Sequence, residues 1–123
     1  MPRKSSANGG SLSASLSVRI APKIRYGLLL LSRKGHGKTS DVVQAMFRAA
    51  LTGRSDLLSL FVLEDLDELW DPVPWIRLQK LKTKRASLMT SGELNALEAV
   101  LGYGDAMNEH VWETLRERHR LDF

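Results

Sequence analysis

Three groups of residues in this chain have the types and spacing to do chemistry, and each implies a different use. His36, His110 and His119 are far apart in sequence, and no carboxylates stand around them at ligand spacing. A zinc site needs several such ligands converging on one point. His110, followed by Glu113 and Glu117, reads instead as the wet side of a charged helix. Gly37-Lys38-Thr39 imitates the end of a phosphate-cradling loop, but the full pattern needs a glycine where this chain has Ser32. There is no cysteine, hence no thiolate ligand, thiol nucleophile or disulfide framework. No Ser/His/Asp arrangement can be argued either. No catalytic residue, metal site or cofactor is expected, and the chain does not read as an enzyme.

The third group is a serine-rich segment that ends in an arginine. Ser13, Ser15, Ser17 and Arg19 alternate with Leu12, Ala14, Leu16, Val18 and Ile20. Hydroxyls and a guanidinium on one side, with apolar groups on the other, are suited to hydrogen-bonding a polar surface while the back packs on a core. The charge distribution indicates which surface. Residues 1 to 54 carry ten Lys/Arg against one acid, Asp41, for a charge of +9. Residues 55 to 123 carry eight Lys/Arg against thirteen acids, for −5. A half so basic implies a polyanion partner, and the other half would be repelled by one.

These side chains need elements to position them. Period-two alternation over residues 12 to 20 predicts a strand, preceded by a flexible basic arm over 1 to 11 that includes Arg3 and Lys4. With no second convincing strand, its partner would be the same strand of another copy, antiparallel about a two-fold axis. Pro22 then opens a helix carrying Ile24, Leu28 and Leu31. Gly27 inside it is tolerable where another element packs closely. Gly35-His36-Gly37 ends it, and Thr39 or Ser40 can cap a second helix with Val42, Val43, Met46, Phe47 and Ala50 on its buried side. Thr52-Gly53 closes that helix.

The order strand, short basic helix, glycine turn and capped helix, with Ser-Val-Arg-Ile-Ala-Pro at Ser17 to Pro22, resembles the ribbon-helix-helix family of DNA-binding proteins. The resemblance covers residues 12 to 53, about a third of the chain. It implies a mainly α fold in which one strand from each protomer pairs into a ribbon lying in the major groove. Such a groove accepts a two-stranded ribbon. The implied base-reading residues are Ser15, Ser17 and Arg19. The implied phosphate contacts are Arg3, Lys4, Lys23, Lys38, Thr39 and Ser40, the last three at a helix start. Leu16, Val18 and Ile20 would pack on Ile24, Leu28, Leu31, Val43 and Phe47.

Residues 55 to 123 read as a helical module behind a DNA-binding domain over 12 to 54. Ser55 starts a helix through about Trp70, and Pro72 and Pro74 end it. A basic helix follows with Arg77, Lys80, Lys82, Lys84 and Arg85. Thr90-Ser91-Gly92-Glu93 is a capping box, and Asp105 can cap a last helix to about Arg120. The acidic run Glu64 to Glu68 is a wet helix face, the mate of the basic run, or a docking site. The whole predicts a cytoplasmic, sequence-specific binder of double-stranded DNA that forms a homodimer, with tetramers on repeated sites as an extension. Its type would be a repressor or autoregulator, or an accessory protein of plasmid conjugation or partition. The alternatives are an antitoxin and a protein–protein adaptor with no DNA role. The module would serve oligomerisation or bind a partner protein, and no segment is apolar enough to involve a membrane.

Overall fold

The computed structural model describes residues 19–123, and their regular structure is entirely helical. Pro22 stands at the start of α1 (Pro22–Leu31), where its missing N–H leaves no acceptor unserved. A wide turn over Ser32–His36 follows, and Gly35 (φ 98°) and Gly37 (φ 88°) reverse the chain in a region that favours glycine. Next comes α2 (Thr39–Leu51), which stops at Thr52 with Gly53 at φ 68°. Two short helices, α3 (Ser55–Leu58) and α4 (Leu66–Leu69), lead to α5 (Pro74–Arg85), α6 (Ser91–Tyr103) and α7 (Glu109–His119).

The core consists of three clusters joined by shared side chains. Leu28, Leu31 and Val42 hold α1 to α2, with Ile20, Val43, Met46, Phe61 and Leu63 packed around them. Tyr26 and Leu30, on another side of α1, meet Leu69 and Leu81. Leu78, Ala96, Leu97, Val100, Trp112, Leu115 and Leu121 join α5, α6 and α7. Leu63 bridges the first two clusters, and Met89 and Phe123 bridge the last two. Gly27 shows why α1 lacks a side chain there, since a Cβ would stand 3.2 Å from Leu66 Cδ2.

This overturns the expected fold class. Among the described residues there is no strand, and Arg19 and Ile20 are irregular. The rest of the expected strand, residues 12–18, lies outside the described residues. The reason is visible in the contacts of the same chain. Ile20 rests on the Leu28, Leu31 and Val42 cluster instead of joining a ladder. Ala21 sits at φ −58°, ψ 142°, where the residue before a proline is driven. Nor does α1 face α2 alone, because Tyr26 and Leu30 are buried against residues of α4 and α5. Ile24 and Phe47, expected inside, are 51% and 56% exposed.

Two boundaries also differ. The helix expected from Ser55 to Trp70 is broken after Leu58, because Phe61 and Leu63 turn inward onto the clusters around α1. The last helix is capped by Asn108, whose side chain accepts the Val111 N–H at 2.9 Å, and not by Asp105.

Candidate nucleic-acid interface

Sorting the cations of the basic half by what each touches defines the site. Lys23 pairs with Asp67 across the α1–α4 contact. Arg33 forms a two-pronged pair with Glu93, with both nitrogen–oxygen distances 2.8 Å, and also reaches Asp122 at 2.9 Å and the Leu88 carbonyl at 3.2 Å. Burial works against its charge, but the hydrogen bonds and charges of Glu93 and Asp122 outweigh it and raise its pKa. Arg54 closes on Asp56 at 2.9 Å, and this hydrogen bond holds the Asp56 carboxyl below its ordinary value. Lys34 donates to the Val62 carbonyl at 3.4 Å.

Arg19, Arg25, Lys38 and Arg48 remain, all exposed and in no ion pair among the described residues. Arg25 and Thr39 line one cleft between α1 and α2. Arg19 stands three residues before α1, and Lys38 immediately precedes α2. Arg48 lies towards the opposite end of α2. Lys38 is the residue before the first turn of α2, and Thr39 and Ser40 begin it. Asp41 accepts the Lys38 N–H at 3.1 Å, which uses one donor and sets a carboxylate at that helix start. A phosphate there would have to rely on the N–H groups of Thr39 and Ser40 and the Lys38 ammonium.

Of the residues expected to contact DNA, Arg3, Lys4, Ser15 and Ser17 lie outside the described residues. Lys38, Thr39 and Ser40 fall at the start of α2, and Arg19 is exposed before α1. Lys23 is engaged by Asp67. The basic run of α5 folds back on the acidic one through Lys84–Glu68 at 3.2 Å and Arg85–Asp65 at 2.7 Å, and Lys80 pairs with Asp71 beyond it at 3.3 Å. The Arg85 hydrogen bond holds the Asp65 carboxyl below its usual range.

Sequence reasoning missed Arg77, which is 9% exposed. Its guanidinium lies 4.1 Å from the Trp70 ring centroid and 5.2 Å from those of Tyr26 and Phe123. Burial lowers its pKa, and burial likewise raises that of the Tyr26 hydroxyl, with Glu93 adding to the effect. The one available signal was position, since Arg77 adjoins Leu78 in the apolar stripe of its helix.

No group of three or more His, Asp or Glu side chains able to hold a metal occurs among the described residues, and none of their helices is long and apolar enough to cross a membrane. No protein-family model, curated protein or solved structure matches the chain.

Proposed function

We propose that this protein binds double-stranded DNA through its N-terminal segment and the starts of α1 and α2. The observation that carries this reading is that Arg19, Arg25 and Lys38, in or shortly before the first turns of these helices, are exposed and without acidic partners among the described residues. In the sequence, Ser15, Ser17 and Arg19 directly precede α1, with Arg3 and Lys4 further upstream. In this reading Ser15, Ser17 and Arg19 read bases, and Lys38, with Thr39 and Ser40, contacts phosphate. The working form is a homodimer, for which Ile24, Phe47 and Leu51 are open apolar surface; Leu51 is 87% exposed. The setting is cytoplasmic, and the role is that of a repressor or a plasmid accessory protein.

The deciding measurement is duplex affinity against salt concentration. Each phosphate contact contributes about −0.9 to the log–log slope. Arg19→Ala should cost about 1–3 kcal/mol and relax base preference at one position per half-site, whereas Lys38→Ala should weaken all sequences alike. Unchanged discrimination in Arg19→Ala refutes the role of Arg19, and affinity that ignores salt refutes DNA binding altogether. An adaptor role is the second reading. It is favoured by a largely apolar groove of about 520 Å³ between α2 and α3, lined by Ala45, Ala49, Leu57, Leu60 and Phe61 among others. It predicts no salt-dependent binding to any duplex.

A further inference from the structure

The cleft lined by Arg25 and Thr39 lies where α1, α2, α5 and α7 meet. Its volume is about 310 Å³, and its walls include Arg25, Tyr26, Thr39, Arg77, Arg116 and Asp122. Three arginines therefore line one cleft with one acidic side chain, Asp122, which Arg33 holds at 2.9 Å. Arg116 has only an exposed contact with Glu113 at 3.4 Å, and such surface pairs contribute little. Arg25 has no ion pair among the described residues. Like charges brought together in this way repel unless an anion joins them.

Arg77 makes the imbalance sharper. It is nine-tenths buried, yet its hydrogen bonds go to neutral acceptors. Nε donates to the Asp71 carbonyl at 2.9 Å, and Nη2 to the Pro72 carbonyl at 3.4 Å. A buried charge is ordinarily matched by an opposite one. Here the one nearby opposing charge, Asp71, is shared with Lys80 at 3.3 Å, and the groups lying over the guanidinium are ring faces at 4.1 and 5.2 Å, which are weaker partners than a carboxylate. A guanidinium carries five N–H donors in a planar fork suited to oxyanions, and these bonds engage only two of its nitrogens. The Thr39 hydroxyl adds a neutral donor at the rim.

We infer that this cleft is a phosphate-binding site, formed by Arg25, Arg77 and Arg116 with Thr39. Its volume is at the small end for ligand pockets and easily admits a phosphate or pyrophosphate group. That group could belong to a free phosphate compound or to the phosphodiester backbone of a nucleic acid. The site shares Arg25 and Thr39 with the DNA-binding reading, whereas Arg77 and Arg116, on α5 and α7, lie outside the residues assigned to DNA, so the two can fail separately.

The test is a pyrophosphate titration of the full-length protein at constant ionic strength, followed by melting temperature and tryptophan fluorescence. Trp70 touches the Arg77 guanidinium and so reports on the cleft. The expected result is a saturable rise in melting temperature, with affinity at least tenfold weaker in both Arg25→Ala and Arg116→Ala. Neither side chain is buried, so both variants should fold with the parent's ligand-free melting temperature. A duplex added in competition separates the two sources. Displacement of pyrophosphate assigns the cleft to backbone phosphate, and an unchanged isotherm assigns it to a free compound. Absence of saturable binding, or saturable binding unaltered in Arg116→Ala, overturns the site. Salt-dependent duplex binding that survives such a result leaves the DNA-binding reading standing without it.

Discussion

Glu93→Gln should destabilise the protein by about 3 kcal/mol, and the reason is particular to how α1 is held. Glu93 is 1% exposed, accepts both prongs of Arg33 at 2.8 Å, and accepts the Thr90 N–H at 3.1 Å. Glutamine keeps an acceptor for the Thr90 N–H, so the cap of α6 survives. What is lost is the charge facing a guanidinium whose side chain is only 13% exposed. Breaking a buried pair by removing one partner costs about 3–5 kcal/mol, and the lower end applies because Asp122 still reaches Arg33. Arg33→Met should cost a similar amount. The double variant should cost much less than the sum, giving a coupling energy of about 2–3 kcal/mol. Urea unfolding followed by tryptophan fluorescence measures all four species. The tryptophans lie only in the second half of the chain, so circular dichroism should be followed in parallel, and the two transitions should coincide. A Glu93→Gln cost below about 1 kcal/mol, or a coupling near zero, would refute the idea that this pair fastens the turn after α1 to α6.

Gly92→Ala should destabilise by about 1–3 kcal/mol in the same assay, because its Cβ would stand 2.7 Å from the His119 carbonyl oxygen, and backbone must move to make room. Thr90→Ala removes the acceptor of the Glu93 N–H at 3.1 Å and should cost about 1 kcal/mol, with thermal melting as the check. Stability should fall in acid. The folded pKa of Asp65 is lowered by Arg85, so its contribution is present above the ordinary carboxylate value of about 4 and disappears as pH falls through the lower folded value. Comparing urea midpoints at neutral and strongly acid pH in the parent and in Asp65→Asn tests this. The variant should lose less on acidification, by under about 1 kcal/mol because Arg85 is partly solvated.

Local signals in the sequence carried through where the chemistry was local. Pro22 starts α1, Gly35 and Gly37 turn the chain, and Thr90 with Glu93 forms the capping box, all from residues within a few positions of one another. Gly27 was legible as a close approach, but not that Leu66 would be the neighbour. The long-range features were not legible. Glu93 looked like half of a cap and is also the buried mate of Arg33, sixty residues away. Arg77 looked like one more cation of a basic helix and stands among three rings. The apolar run from Leu57 to Leu69 has helical spacing, but burying Phe61 and Leu63 against α1 outweighs its propensity. In each case packing between segments decided what periodicity alone could not.

The same long-range pairing changes what the basic half means. A charge of +9 over residues 1 to 54 suggests that many cations face a polyanion, yet Lys23, Arg33 and Arg54 are bound to acids of the second half. The excess acids of residues 55 to 123 thus serve in part as internal partners that fix α1 in place. The cations they leave alone, Arg19, Arg25, Lys38 and Arg48, are exposed and in no ion pair among the described residues. The charge asymmetry of the sequence therefore does two things: it holds the two halves together, and it leaves a smaller set of unpaired cations than the count of +9 suggests.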